Sequence, residues 1–308
     1  MKISTAIIGL GKIGLTYDFD KFGKLIPNQI MTHCRSVSTS NFFKVSYLID
    51  PQSECVDMAL RHYGGIGFSS LEPAEGQDPP QLVIVSVPTP LHLEVLLKVT
   101  KKWKPSTYLI EKPFGSSLEE ALQMQDILQS QGAKVYVNYF RRYLPNFISL
   151  KSHHLFQNRG KLHSVTINGY GSLKNIFSHF LDLLIFLEPS CIEVLSKKYQ
   201  TSTEKGNLSF EDLDSEIRFK FSGVGFGARE CEMTLVYENL FINVTSNGRC
   251  IEISNKQQDS VKIFNLDENV FNSYQSTVLE KIAVDFTFRE NNTSVEDAIH
   301  IHRFLEGI

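Results

Sequence analysis

The chain has 308 residues, with 31 Lys and Arg against 34 Asp and Glu and a formal net charge of −3. That length suits two domains, and near-balanced, interspersed charge without a long basic run argues against nucleic acid as a partner and against a disordered tail. Five scattered cysteines with no CxxC argue against a disulfide framework and a zinc site, and no stretch is long and apolar enough to span a bilayer, so a cytoplasmic protein with no metal site and no membrane partner is expected.

The N-terminal "MKISTAIIGLGKIG" is basic, briefly apolar and then glycine-rich, which reads as a first strand rather than a signal peptide. Short apolar runs recur at Ser4–Leu10, Phe43–Asp50, Gln81–Pro88, Ser106–Pro113 and Ala133–Tyr139, with a short one at Gly65–Ser70. Most are rich in Val and Ile, as parallel strands covered on both faces require. Helical patterns alternate with them. "SECVDMALRHYG" ends on a glycine cap, "PLHLEVLLKVTKKW" opens with proline, and "SLEEALQMQDILQSQG" sets Ser117 three residues before Glu120 as a capping box. Residues 1–140 are therefore expected to form a doubly wound parallel sheet of the Rossmann type.

"GLGKIG", Gly9-Leu10-Gly11-Lys12-Ile13-Gly14, directly follows the first strand. The glycines allow a tight turn and a close backbone approach to a pyrophosphate, so Gly9, Gly11, Lys12, Ile13 and Gly14 are expected at a dinucleotide. Asp50 ends the second strand. A carboxylate there accepts hydrogen bonds from ribose hydroxyls and repels a 2′-phosphate, and Pro51 and Gln52 supply no cation, so NAD is preferred over NADP. The alternative is a turn or N-cap aspartate, because the interval from the glycines exceeds the usual ~20 residues. The excess lies in residues 15–40, with the first crossover helix expected to begin near Asn28 or Gln29. That insertion reads first as a surface loop and second as a cover over a ligand.

Beyond Tyr143 the pattern changes. One helix candidate, "NIFSHFLDLLIFL", precedes strand-like runs at Cys191–Gln200, "SEIRFKF", "ECEMTLVYE", "LFINVTSN" and "RCIEISN". Two helices, "YQSTVLEKIAVDFTF" and "SVEDAIHIHRFLEGI", close the chain. Residues 141–308 are expected to form an α+β substrate-binding and oligomerisation domain with an open, mostly antiparallel sheet; packing of the closing helices back on the first domain remains open. A sheet with one face unprotected by helices needs a cover, so a homodimer or homotetramer through the C-terminal sheet is expected.

Taken together, "GLGKIG", "VPTPLH" and "EKPF" resemble the glucose–fructose oxidoreductase, inositol dehydrogenase and MocA family. The resemblance implies hydride transfer between nicotinamide and a hydroxyl or keto carbon of a sugar, cyclitol or sugar nucleotide. It implies Thr89 and Pro90 beside the nicotinamide half, with His92 at the start of the next helix. His92 also reads as a residue packed against the sheet.

Lys112 sits where a parallel strand ends, the edge at which open α/β sheets bind ligands. An ammonium there stabilises a developing alkoxide or donates its proton, and Glu111 is a candidate to hold it and to reach cofactor hydroxyls. The resemblance implies a cis bond from Lys112 to Pro113. On a helix Asn175, Ser178, His179 and Asp182 share one face, a polar stripe that is either a wet side or a functional seam. His179 with Asp182 matches the family's HxxD helix, which implies that His179 partners Lys112 as acid or base. Asn175 stands where many members carry aspartate; it binds a hydroxyl but carries no charge. Arg141, Arg142 and Tyr143 resemble the family's segment at the domain junction, and Arg142 reads as a ligand for phosphate or carboxylate or as an interdomain ion pair. A non-catalytic NAD-binding sensor and an NAD-using glycosidase are the competing functions.

Overall fold

The computed structural model describes residues 2–72, 76–168, 177–192, 200–204, 207–211, 218–222, 230–255, 261–288 and 294–307. Along the first half run β1 (Ile3–Ile8), α1 (His33–Thr39), β2 (Phe43–Ile49), α2 (Ser53–Tyr63), β3 (Ile66–Phe68), β4 (Leu82–Val85), α3 (His92–Lys102), β5 (Thr107–Ile110), α4 (Leu118–Ser130) and β6 (Lys134–Val137). The second half holds α5 (Pro145–Ser152), α6 (His154–Gln157), β7 (Leu162–Asn168), α7 (Ser178–Leu187), β8 (Gln200–Glu204), β9 (Asn207–Glu211), β10 (Arg218–Ser222), β11 (Glu232–Tyr237), β12 (Leu240–Thr245), β13 (Cys250–Asn255) and β14 (Val261–Asn265). Three helices end it: α8 (Glu268–Phe271), α9 (Tyr274–Phe288) and α10 (Val295–Gly307). The chain divides into two compact units, Met1–Phe140 with Asn272–Ile299, and Arg141–Phe271 with His300–Ile308.

In the first unit six parallel strands form one sheet in the order β3-β2-β1-β4-β5-β6. The short apolar runs are buried: every residue of β4 and β5 lies in the core. Capping follows the sequence signals. Ser117 Oγ accepts from Glu120 N, the Glu120 carboxylate accepts from Ser116 N, and α2 ends on Gly64 at φ 69°. The exposed edge at β6 is covered by the returning chain. Ser294 Oγ accepts from Val137 N at 2.9 Å, and Tyr136 donates to Asp285 of α9 at 2.6 Å.

The first crossover departs from expectation. The helix begins at His33, not near Asn28 or Gln29. A single turn forms right after the glycines, with Leu15 N donating to Gly11 O at 2.8 Å. The chain then leaves through a 3-10 turn at Thr16–Asp18 and a bridge between Phe19 and Leu25. It re-enters at α1, where His33 N donates to Ile13 O at 3.1 Å and Cys34 N to Gly14 O at 3.0 Å. Those bonds set the start of α1 on the glycine turn as though the helix had continued. The insertion is spliced into the crossover helix rather than placed before it, which is why periodicity misplaced the start.

In the second unit eight strands form a sheet in the order β14-β13-β12-β11-β7-β10-β9-β8, antiparallel except for the β7–β10 pair. The strand expected from Cys191 starts later. Cys191 and Ile192 are helical, with Cys191 N bonded to Glu188 O, and the strand described there begins at Gln200. The helix α7 is buried along its length apart from Phe186, which is half-buried. Its described polar residues, Ser178, His179 and Asp182, are therefore not a wet side.

Candidate functional site

In the first unit the glycine turn and the Glu111–Lys112 segment leave the same edge of one parallel sheet, from β1 and β5, with β4 between them. Gly9 has φ +96°, and a Cβ there would lie 2.6 Å from the Ser86 carbonyl carbon. A Cβ on Gly14 would lie 2.1 Å from Gly9 O. Protein packing thus accounts for the first and third glycines. Gly11 differs: its φ is not in the left-handed region, it is exposed, and a Cβ there meets no atom within 4 Å. Within the protein, then, no packing contact requires glycine at Gly11. Lys12 beside it is exposed and Ile13 half-buried.

Asp50 is half-buried at the end of β2. Its Oδ2 accepts from Leu10 N at 2.7 Å and its Oδ1 from Gln52 N at 2.9 Å. It ties the glycine turn to the second strand, and each oxygen keeps a further acceptor site. Thr89 is half-buried and Pro90 exposed in a 3-10 turn after β4. His92 is buried, and both ring nitrogens face carbonyls, Nε2 at 3.0 Å from Val87 O and Nδ1 at 3.0 Å from Phe114 O. The ring joins the loop after β4 to the loop that carries Lys112.

Lys112 is half-buried and its bond to Pro113 is cis. Glu111 Oε1 receives His33 Nε2 at 2.8 Å and Asn138 Nδ2 at 2.5 Å, and Asn138 Nδ2 also reaches Gln275 Oε1 at 3.2 Å. Burial pushes the Glu111 carboxyl up. The His33 hydrogen bond and charge, with Asn138 and Lys112, outweigh that and hold it below the ordinary 4.5. His33, Asn138 and Gln275 escaped sequence reasoning. Asn138 and Glu111 both follow strand ends and were open to notice, whereas His33 depends on the splice.

In the second unit Asp182 is fully buried, and Arg142 grips it with two nitrogens, Nε to Oδ2 at 2.9 Å and Nη2 to Oδ1. The two residues expected to meet a ligand are paired with each other, and the pair lies inside one unit rather than between domains. His179 is buried in the first turn of α7, 9% exposed. Arg141 donates to Asn247 O at 2.9 Å, and Tyr143 is buried. Asn175 lies outside the described residues.

Residues 3–139 match the oxidoreductase family with the NAD-binding Rossmann fold, GFO_IDH_MocA, as the glycine, VPTP and EKP motifs led one to expect. No curated protein matches the chain in sequence. Among solved structures it is similar to a super-repressor mutant of Gal80p from Saccharomyces cerevisiae, at 14% identity and TM-score 0.77, over 99% of this chain and 94% of that one. It is similar to the WlbA dehydrogenase from Bordetella pertussis in complex with NADH and UDP-GlcNAcA, at 16% identity and TM-score 0.74, over 100% and 94%. It is similar also to a mutant of KijD10, a 3-ketoreductase from Actinomadura kijaniata in complex with TDP-benzene and NADP, at 12% identity and TM-score 0.75, over 100% and 97%. Among the described residues no helix is long and apolar enough to cross a membrane.

Proposed function

We propose that the protein is an NAD-dependent dehydrogenase or reductase acting on a hydroxyl or keto carbon of a sugar or sugar nucleotide. The observation that carries this reading is the shared sheet edge. A glycine turn with open space at Gly11 and a lysine after the neighbouring-but-one strand leave it together, inside a segment that matches an NAD-binding oxidoreductase family. The sugar-nucleotide substrate class is carried over from WlbA, crystallised with NADH and UDP-GlcNAcA.

Gly9, Gly11, Lys12, Ile13 and Gly14 would hold the pyrophosphate half, with Thr89 and Pro90 near the nicotinamide half. The bound nicotinamide supplies or accepts the hydride. Lys112 stabilises the developing negative oxygen of the substrate and exchanges its proton. Glu111 supplies a fixed negative charge next to Lys112. Asp50 disfavours a 2′-phosphate at the end of β2, which favours NAD over NADP.

The test pairs cofactor binding with turnover on a panel of UDP- and dTDP-sugars, followed by the absorbance of reduced nicotinamide. Lys112→Ala is expected to keep NADH binding and to lose roughly 10²–10⁴ in turnover, the scale of a positioned acid–base group. Lys112→Arg restores little, because a guanidinium exchanges no proton near neutral pH. Near-wild-type turnover in Lys112→Ala would overturn the assignment. The second reading, an NAD-binding regulator, is favoured by the likeness to Gal80p. It predicts NADH binding with no turnover across the panel.

A further inference from the structure

We propose that His33 is a positioning residue for Glu111: with Asn138 it holds one carboxylate oxygen, Oε1, so that the other, Oε2, is presented to a hydroxyl of the ligand at the sheet edge. The inference rests on the dinucleotide reading of that edge. Both hydrogen bonds converge on Oε1, His33 at 2.8 Å and Asn138 at 2.5 Å, and among the described residues no hydrogen bond is made to Oε2. His33 is fully buried and the Glu111 side chain is 13% exposed, so the anchored side is dry.

The orientation of each group follows from its neighbours. Asn138 must aim its amide nitrogen at Glu111, since the reverse would set two acceptor oxygens together. Gln275, fully buried, accepts from that same nitrogen at 3.2 Å and fixes the choice. His33 Nδ1 is buried without a hydrogen-bond partner among the described residues. An ionised carboxylate can only accept, so His33 Nε2 carries the hydrogen donated to Glu111. The charged and titratable groups around Glu111 are His33 from α1 and Lys112 from its own loop, and from α9 Tyr274, itself near Tyr17 and Asp18 of the insertion. Of these charged and titratable groups, among the described residues, only His33 both hydrogen-bonds the carboxylate and comes from another element. It arrives there because the insertion re-enters the crossover helix at that residue. A carboxylate this deep takes up a proton unless donors hold it.

The test uses the full chain with ¹³C-labelled glutamate, the Glu111 carboxyl resonance being assigned by its loss in Glu111→Gln. In wild type it should titrate below the ordinary glutamate value. His33→Met, similar in bulk but without a donor, should raise the midpoint by at least about one pH unit, while His33→Gln, which donates and cannot ionise, should return it most of the way. A folded His33→Met with the wild-type midpoint overturns the proposal, since packing alone would not move this titration. Should His33→Met fail to fold, His33→Gln decides: a wild-type-like midpoint supports the role and a raised one overturns it. NADH titrated by fluorescence should bind about tenfold more weakly to His33→Met than to His33→Gln. If wild type binds no NADH while Glu111 still follows His33, the dinucleotide reading falls and the anchoring of Glu111 stands. If NADH binds wild type and the two variants equally, and the Glu111 midpoint does not move, the inference falls and the reading stands.

Discussion

Asp18 is fully buried, and its carboxylate accepts from Met31 N at 2.9 Å, Thr32 N at 2.9 Å and Thr32 Oγ1 at 2.6 Å. It closes the insertion on itself just before α1 begins. Asp18→Ala would leave one buried and one part-buried backbone donor without their acceptor, so a loss of about 2–4 kcal/mol in chemical denaturation is expected; a loss within ±0.5 kcal/mol would show that the loop re-satisfies them. Glu111 makes a separate prediction, on acid stability. Its folded-state pKa lies below the ordinary 4.5, so its contribution is present above that pH and is lost as pH falls through the depressed value. The stability difference between wild type and Glu111→Gln should therefore shrink below pH 4.5, and a constant difference across that range would refute it. At this scale the sequence was legible where chemistry is local. Gly9, Gly11, Asp50 and Lys112 announce themselves by following strands. Asp18 and His33 do not, because their partners lie 14 and 78 residues away and depend on where the insertion rejoins the helix.

At the level of elements, the six parallel strands were visible because each is a short apolar run bounded by turn residues. The strand β7 was not. Opposite it Tyr237 pairs with Leu162 and Val236 with Ser164, so His163 is an extra residue. The bulge puts Leu162 and Val165 three apart on the same buried face, a spacing that reads as helical rather than alternating. The helix α7 misled differently. Its Asp182 lies on the face predicted to be wet or functional, and the structure buries it against Arg142. Breaking that pair should be costly: Asp182→Leu removes a buried carboxylate to which two guanidinium nitrogens donate, at about 3–5 kcal/mol. Replacing both, Arg142→Met with Asp182→Leu, should recover most of the loss in urea denaturation. Additive losses would mean that each residue answers to other partners more than to this one.

For the whole molecule, the change from strand–helix alternation to consecutive strands separated a parallel from a mostly antiparallel sheet. What composition alone could not give is the composition of the second sheet's open face. Cross-strand register puts Val236, Phe241, Ser254 and Val261 in one row and Thr234, Asn243, Glu252 and Ile263 in the next. The opposite face, with Leu235, Ile242 and Ile253, is fully buried. Phe241, Val261 and Ile263 are 37%, 60% and 50% exposed, three large apolar side chains on one face among Thr, Asn, Ser and Glu. Mixed faces of this kind suit association between copies better than permanent exposure to water. We expect a dimer or tetramer at micromolar concentration by light scattering. Phe241→Glu with Ile263→Glu should bring like charges to the centre of a two-fold contact, where each patch meets its own copy, and shift the protein to monomer. NADH affinity should hold, since neither residue belongs to the unit that carries the glycine turn. A wild type that is already monomeric would mean that this face meets water or another partner, and that the open sheet was wrongly read as an oligomer interface.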